Sequence, residues 1–351
     1  MHSRPYFLRF LASISISVSI PTISALRIPP RGGRPLQPPS VAHPLSRIVS
    51  PVTLSKALEH GGTNPNISPI VAVDIRTQDS FAESHIPGSI SLPFSGTTSI
   101  WSTTSEDDDG NTILINFPSS ESLFPALSAA GITKEDSHVV VVGDNGTHGA
   151  AAASRAALTL SPYAGMKAEN VGILNGGFEG WASGGFEVET DSVHEEHRAS
   201  SDWDAKLNDS FVVSMQFVLD HLPLVSEKSA MLLDARPEEA YNGSVQQDLT
   251  AKLGHIPGAV SVPASLLFTD EADGGKFLDG KDLKSLVGSK VNRYFGDGDK
   301  GIVIAYCRTG VLASSWTWVL SNIGDRWRAG ENIFLYDGSA QEWSMHQDMV
   351  V

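Results

Sequence analysis

Only one of the 351 residues is cysteine, Cys307. A disulfide within the chain needs two cysteines and a zinc site built on several thiolates needs more, so both are excluded. No run of eighteen or more apolar residues occurs, so no membrane-spanning helix is expected. Basic residues are also scarce. The 25 Lys and Arg against 40 Asp and Glu leave a formal net charge of −15, the wrong sign for binding nucleic acid through clustered phosphate contacts. No metal-ligand cluster and no phosphate-cradling glycine motif stand out, so neither a metal nor a cofactor is expected. The rest is ordinary for a globular protein, with 41% hydrophobic and 19% charged residues and length enough for two domains.

Acidic residues are absent from the first 58 positions, which carry Arg4, Arg9, Arg27, Arg31, Arg34 and Arg47 among many serines and a proline-rich stretch. Arginine-rich, serine-rich, acid-free composition predicts a mitochondrial targeting segment over residues 1–46. The alternative is a secretory signal, with residues 10–20 as its apolar core and Ile23-Ser24-Ala25 as the cleavage site. Removing five arginines with such a segment takes the charge from −15 to −20. An anion site must then work through local positive charge.

A pattern occurs twice. An apolar run ends in Asp74-Ile75-Arg76 and is followed by His85-Ile86-Pro87-Gly88; a second ends in Asp234-Ala235-Arg236 and is followed by His255-Ile256-Pro257-Gly258. Further on, the run ending at Gly143-Asp144 matches the run ending at Tyr306-Cys307, and Asn175-Gly176-Gly177 through Trp181 matches Asp337-Gly338-Ser339 through Trp343. The offsets of the three blocks are 160, 163 and 162 residues, which indicates a tandem duplication. The apolar runs read as strands buried on both faces, alternating with helix-like stretches, so each copy is expected to be α/β: a mostly parallel sheet flanked by helices. We place domain one at 47–190, a charged linker at 191–207 and domain two at 208–351.

The copies differ where chemistry would sit. In open parallel sheets ligands bind at the carboxyl ends of strands. There Cys307-Arg308-Thr309-Gly310-Val311 joins the strand Ile302–Tyr306 to a helix from about Leu312, with Gly324 as its stop. Loop N–H groups, a helix N-terminus and Arg308 all favour a thiolate, so a lowered Cys307 pKa is expected, and the same groups would hold a persulfide anion. Copy one has Asp144 at the matching place, and an aspartate cannot accept sulfur; that copy is expected to be catalytically inactive and to wall the cleft. A lone cysteine can equally be a small buried core residue.

These residues resemble the tandem rhodanese family of thiosulfate and 3-mercaptopyruvate sulfurtransferases, from about Ser46 to the C-terminus. The resemblance implies two rhodanese-like domains and a ping-pong transfer through a Cys307 persulfide. It implies a small anionic sulfur donor, and cyanide, a thiol or a thioredoxin-like protein as acceptor. It makes Arg236, Arg308, Thr309, Gly310, Val311 and Leu312 the expected substrate-binding residues, Arg236 having an ion pair with Asp234 as its other role. Arg76 is expected to be structural, and His85 and His255 to hold their turns. Thiosulfate enzymes resemble Cys-Arg-Lys-Gly-Val-Thr and mercaptopyruvate enzymes Cys-Gly-Ser-Gly-Val-Thr. Here Arg308 follows the first pattern, Thr309 the second, and Leu312 neither. Mercaptopyruvate enzymes carry a further Arg before the Gly-His; residues 238–253 contain none, leaving Lys252 as the substitute. Thiosulfate is therefore the preferred donor.

Two rival functions are open to a cysteine at this place. A Cys-loop phosphatase or arsenate reductase needs an Arg six residues past the cysteine, where this chain has Ala313. A non-enzymatic binding or regulatory protein on a decayed rhodanese pair would show no persulfide. A sulfur carrier to a protein partner in tRNA thiolation is a variant of the main reading.

Overall fold

A run such as Val139-Val140-Val141-Val142 offers no polar alternation, and its β-branched side chains suit a pleated strand covered on both faces. A computed structural model of the chain describes residues 47–61, 70–94, 99–107, 109–135, 137–190, 203, 206–296, 301–323 and 326–351. The expected targeting segment, most of the linker and Gly324 lie outside the described residues.

The first copy runs β1 (Ile48–Val49), α1 (Pro51–Gly61), β2 (Ile70–Asp74), α2 (Gln78–Glu83), β3 (Ile90–Ser91), β4 (Thr103–Glu106) and β5 (Thr112–Asn116). It continues through α3 (Ser120–Ala129), β6 (His138–Val142), α4 (Gly146–Leu158), β7 (Val171–Leu174) and α5 (Gly177–Ser183). The second runs β8 (Val212–Val213), α6 (Met215–Ser226), β9 (Ala230–Asp234), α7 (Glu238–Tyr241), β10 (Val260–Ser261), α8 (Gly280–Val287) and α9 (Arg293–Phe295). It closes with β11 (Ile302–Tyr306), α10 (Val311–Ile323), β12 (Ile333–Tyr336) and α11 (Ser339–His346).

The two five-stranded sheets have the same order, β1-β7-β6-β2-β3 and β8-β12-β11-β9-β10, and every pairing within them is parallel. Helix starts follow local chemistry. The side chains of Thr77, Ser214 and Asp279 accept hydrogen bonds from the first-turn N–H groups of α2, α6 and α8, donors that would otherwise be unpaired. The copies differ in their insertions: the first carries the antiparallel hairpin β4–β5 where the second has an isolated antiparallel bridge of Phe268 with Phe277, and the second spaces Arg236 and His255 by 19 positions where the first spaces Arg76 and His85 by 9.

One apolar cluster takes residues from both copies, including Val139, Val141, Ala156 and Ala157 of the first and Val303, Ala305, Trp316 and Val319 of the second. The outward sheet faces have their own clusters, around Leu54 and Trp181 in copy one and Val218 and Trp343 in copy two. Helices α4 and α10 pack along one another inside the shared core. That explains a departure from the sequence pattern. An apolar stripe at helical spacing predicts one buried face for α10, yet every residue from Ala313 to Leu320 is buried, because the helix meets its own sheet on one side and α4 on the other.

The seam is pseudo-symmetric. The Phe117 N–H donates to Asp337 Oδ2 at 2.7 Å, and the Phe277 N–H to Asn175 Oδ1 at 2.8 Å. Gln341 receives the Leu114 N–H at 3.2 Å and donates to its carbonyl at 2.7 Å. The His346 ring lies between Asp107 and Asp109, at 2.7 and 3.2 Å.

Candidate active site

The central strand β11 delivers Cys307 to the carboxyl end of the second sheet, where the chain turns through Arg308, Thr309 and Gly310 into α10. Gly310 has φ +83°, a left-handed conformation that glycine adopts without steric cost. The turn brings the N–H groups of Ala313, Thr309 and Leu312 near enough to the Cys307 sulfur to favour its anion. The turn after β12 holds the loop from beneath. Ser339 Oγ accepts the Cys307 N–H at 3.3 Å, and the N–H groups of Ala340 and Gln341 donate to the carbonyls of Cys307 and Arg308 at 3.0 and 3.1 Å. Ser339 does this at φ +55°, a region that non-glycine residues seldom occupy.

Cys307 is 1% exposed, and burial pushes its thiol up. The three N–H groups oppose that shift without cancelling it, and the Asp234 charge adds to it. The expected lowering is thus corrected. The nest is present, but a sulfur this deep loses more by surrendering water than three dipoles return.

Arg308 is half-buried, and its guanidinium makes no hydrogen bond or ion pair among the described residues. Thr309 is buried. Val311 opens α10, and the Leu312 side chain packs on the shared core. Arg236 is 2% exposed and grips Asp234 through Nε at 3.0 Å and Nη2 at 2.6 Å, with Nη2 also donating to the Gly254 carbonyl at 2.8 Å. Burial alone would lower its pKa; the Asp234 carboxylate outweighs that and raises it. Arg76 repeats the arrangement, Nη2 reaching Asp74 and the Ser84 carbonyl at 2.7 Å each. The ion pair is therefore the role the two arginines share, and Arg236 is left with Nη1 free of hydrogen bonds among the described residues. Lys252 does not stand in for the missing arginine, since its ammonium binds the Gln347 carbonyl at 2.8 Å and Asp348 at 3.1 Å. His85 and His255 bond through Nδ1 to the carbonyls of Phe81 and Tyr241, at 2.9 Å each, and stack on those rings. Both hold turns.

The structure also corrects which residue of copy one corresponds to Cys307. In the strand registers Asp74 faces Val142 and Asp234 faces Tyr306. The Phe178 N–H donates to the Gly143 carbonyl as the Ala340 N–H does to that of Cys307, and Gly146 has φ +76° where Gly310 has +83°. The loops therefore align at an offset of 164. Gly143 stands where Cys307 does, and Asp144 stands where Arg308 does. A Cβ on Gly143 would lie 2.8 Å from the Gly149 carbonyl oxygen, so a side chain at this place would have to push the Gly149 backbone aside. Burial and Glu179 raise the Asp144 pKa, with Arg76 opposing them.

Sequence reasoning missed Arg155 on α4, fully buried and bound through Nη2 to Asp337 Oδ1 at 2.7 Å and to the Ile115 carbonyl at 3.0 Å. A buried arginine in a helix of alanines has no signal beyond its own oddity. Among the described residues no group of three or more His, Cys, Asp or Glu is placed to hold a metal ion, and no helix is long and apolar enough to cross a membrane.

The rhodanese-like domain family matches the chain twice, at residues 51–184 and 221–346. The 3-mercaptopyruvate sulfurtransferase of Escherichia coli is 26% identical over 282 residues, 79% of this chain and 86% of its own length. The thiosulfate sulfurtransferase of Gallus gallus is 25% identical over 266 residues, 75% of this chain and 79% of its own. Among solved structures, SseA from Escherichia coli, described with the rhodanese fold of 3-mercaptopyruvate sulfotransferases, superposes with a TM-score of 0.60 at 24% identity over 84% of this chain and 98% of that one. With two such domains in one chain and sulfurtransferases as its homologues, the protein belongs to the tandem rhodanese sulfurtransferase family.

Proposed function

We propose that the protein moves a sulfane sulfur from a small anionic donor to a thiophilic acceptor through a persulfide on Cys307. The observation that carries this reading is the sulfur itself: the only thiol of the chain lies at the end of the central strand, where three loop N–H groups favour its anion. The Cys307 sulfur attacks the outer sulfur of the donor, and the donor's bond to that sulfur breaks. With thiosulfate the bonding pair leaves on sulfite, the thiol proton goes to it as bisulfite, and Cys307 keeps an anionic persulfide that the N–H groups stabilise. Cyanide, a small thiol or a thioredoxin-like protein then attacks the outer sulfur, and the electron pair of the breaking S–S bond returns to Cys307. Arg308 binds the donor anion at the rim, and Arg236 Nη1 adds a donor from beneath.

Thiosulfate is the preferred donor and 3-mercaptopyruvate the second. Two observations favour that order: residues 238–253 supply no arginine, and Lys252 is bound to the C-terminal segment. A keto-acid carboxylate would lack its second partner. The acid-free first 46 residues support a mitochondrial destination, which imaging of a fluorescent C-terminal fusion tests.

The deciding measurement is intact mass after incubation with thiosulfate or 3-mercaptopyruvate, for the natural chain and Cys307→Ser. A gain of one sulfur atom, absent in the variant and reversed by cyanide, is expected, and larger with thiosulfate. No gain with either donor would overturn the reading in favour of a binding module.

A further inference from the structure

Arg155 is a charged side chain buried to 0% exposure, and its charge is only partly satisfied. Nη2 has two acceptors, and the guanidinium carbon lies 3.5 Å over the centre of the Phe117 ring. Nε and Nη1 are buried without a hydrogen-bond partner among the described residues. Nη1 points into the loop of the other copy: a Cβ built on Gly310 would lie 3.0 Å from it and 3.4 Å from Asp337 Oδ1. One guanidinium therefore abuts both the loop that carries Cys307 and the residue that opens the supporting turn. A buried cation with idle donors is costly, so its presence needs a reason.

The pseudo-symmetry of the seam supplies a comparison within the same molecule. Around the silent loop the same backbone contact is made by neutral Asn175 with the Phe277 N–H. The α10 residue that corresponds to Arg155 at the offset of 164 is Val319, itself fully buried. Among the described residues the interface thus closes on the silent side without an ion pair at these positions. On the active side the same two positions hold Asp337 and Arg155. Interface stability does not account for the difference, since buried ion pairs seldom outperform neutral packing.

We propose that Arg155 of the silent copy is a positioning residue for Cys307, fixing its loop at Gly310 and Asp337 and setting a permanent positive charge against it. This gives the catalytically silent copy a part in the reaction of the other, and it rests on the sulfur-transfer reading only in what the anionic sulfur is for. Among the described residues, the other charged and titratable groups near Cys307 include Arg308 on its loop, Tyr306 before it, Asp234 and Arg236 at the end of β9, and Asp337 after β12. None of them is exchanged in the test variants except Asp337.

The test is the pH profile of Cys307 alkylation by iodoacetamide, followed by intact mass on the full chain with no sulfur donor present. It therefore reads out even if no persulfide forms. The variants are Arg155→Met, Arg155→Lys, the double Arg155→Val with Asp337→Asn that copies the silent side, and Asn175→Ala as a seam variant remote from the thiol. In the Met variant the profile is expected to move up by roughly half to one pH unit, so that alkylation at a fixed pH below the midpoint slows about threefold to tenfold, and the double variant, which also loses the Asp337 carboxylate, should move up by less. Lys should stay near the natural profile, and Asn175→Ala should not move it. An unchanged profile in folded Arg155→Met would overturn the proposal. So would an equal shift in Asn175→Ala, which would make the effect one of loosening the seam.

Discussion

A thiol that burial pushes up carries two consequences with fixed signs. The sulfur is protonated through the neutral range, so Cys307 alkylation in the native protein should be slower at pH 7 than in urea, and should climb as pH rises past the ordinary thiol range. Stability follows the same linkage. The folded state holds the proton more tightly than the unfolded chain, so this contribution is complete below the unfolded pKa and fades as pH rises through the folded one. Melting curves of the natural chain and Cys307→Ser should therefore converge or cross above about pH 8.5, where a free thiol begins to ionise; parallel curves from pH 7 to 10 would refute this. The paired arginines give a second test. Because Arg76 and Arg236 hold their aspartates alike, replacing either by Met strands a buried carboxylate and should cost about 3–5 kcal/mol by urea unfolding. Only Arg236→Met should also lower sulfur uptake in the protein that remains folded. Equal uptake in both would remove Arg236 from donor binding.

At the scale of elements, the sequence was most readable where a strand or helix obeys one local rule. The β-branched runs became strands, and the stretch expected to be helical from about Leu312 became α10, beginning at Val311. Short linear signals were read correctly too, including the Asp-x-Arg corners and the histidine turns. The misreading came at the loop, where matching Asp144 to Cys307 by offset slipped one residue. Insertions between blocks shift an offset freely, whereas strand register and a left-handed glycine do not. The corrected pairing has its own test. Gly143→Cys restores a thiol to the matching site, but its Cβ would press on the Gly149 carbonyl. The variant should lose about 1–3 kcal/mol and gain no sulfur at position 143 in a Cys307→Ser background. Ready persulfide formation there would mean that the loop of the first copy can seat a reactive thiol after all.

The arrangement of the whole molecule was the least legible part, because contacts between copies join residues about two hundred positions apart and leave no periodic trace. Nothing in the sequence pairs Arg155 with Asp337, or Leu114 with Gln341, or explains why α10 is buried on every side. The structure makes these one fact: the inner faces of both sheets share a single core. Cutting the chain would expose that core. Residues 206–351 alone would keep Cys307, its loop and the turn that supports it. They would lose α4 against α10, Arg155 beside Gly310, and the Asn116 and Phe117 donors to Asp337. Trp203 would stay with the first copy, where it stacks on Phe124 and donates to the Ile132 carbonyl at 3.0 Å. Apolar surface uncovered on this scale exceeds what a soluble monomer usually carries. The fragment should therefore bind a hydrophobic dye, unfold without a sharp transition and take up no sulfur from thiosulfate. Adding residues 47–205 as a separate chain should restore cooperative unfolding and uptake together, because the seam supplies both the cover and the charge. A fragment that folds and loads sulfur unaided would show that the second copy is self-sufficient, and would leave the first copy no part in the chemistry.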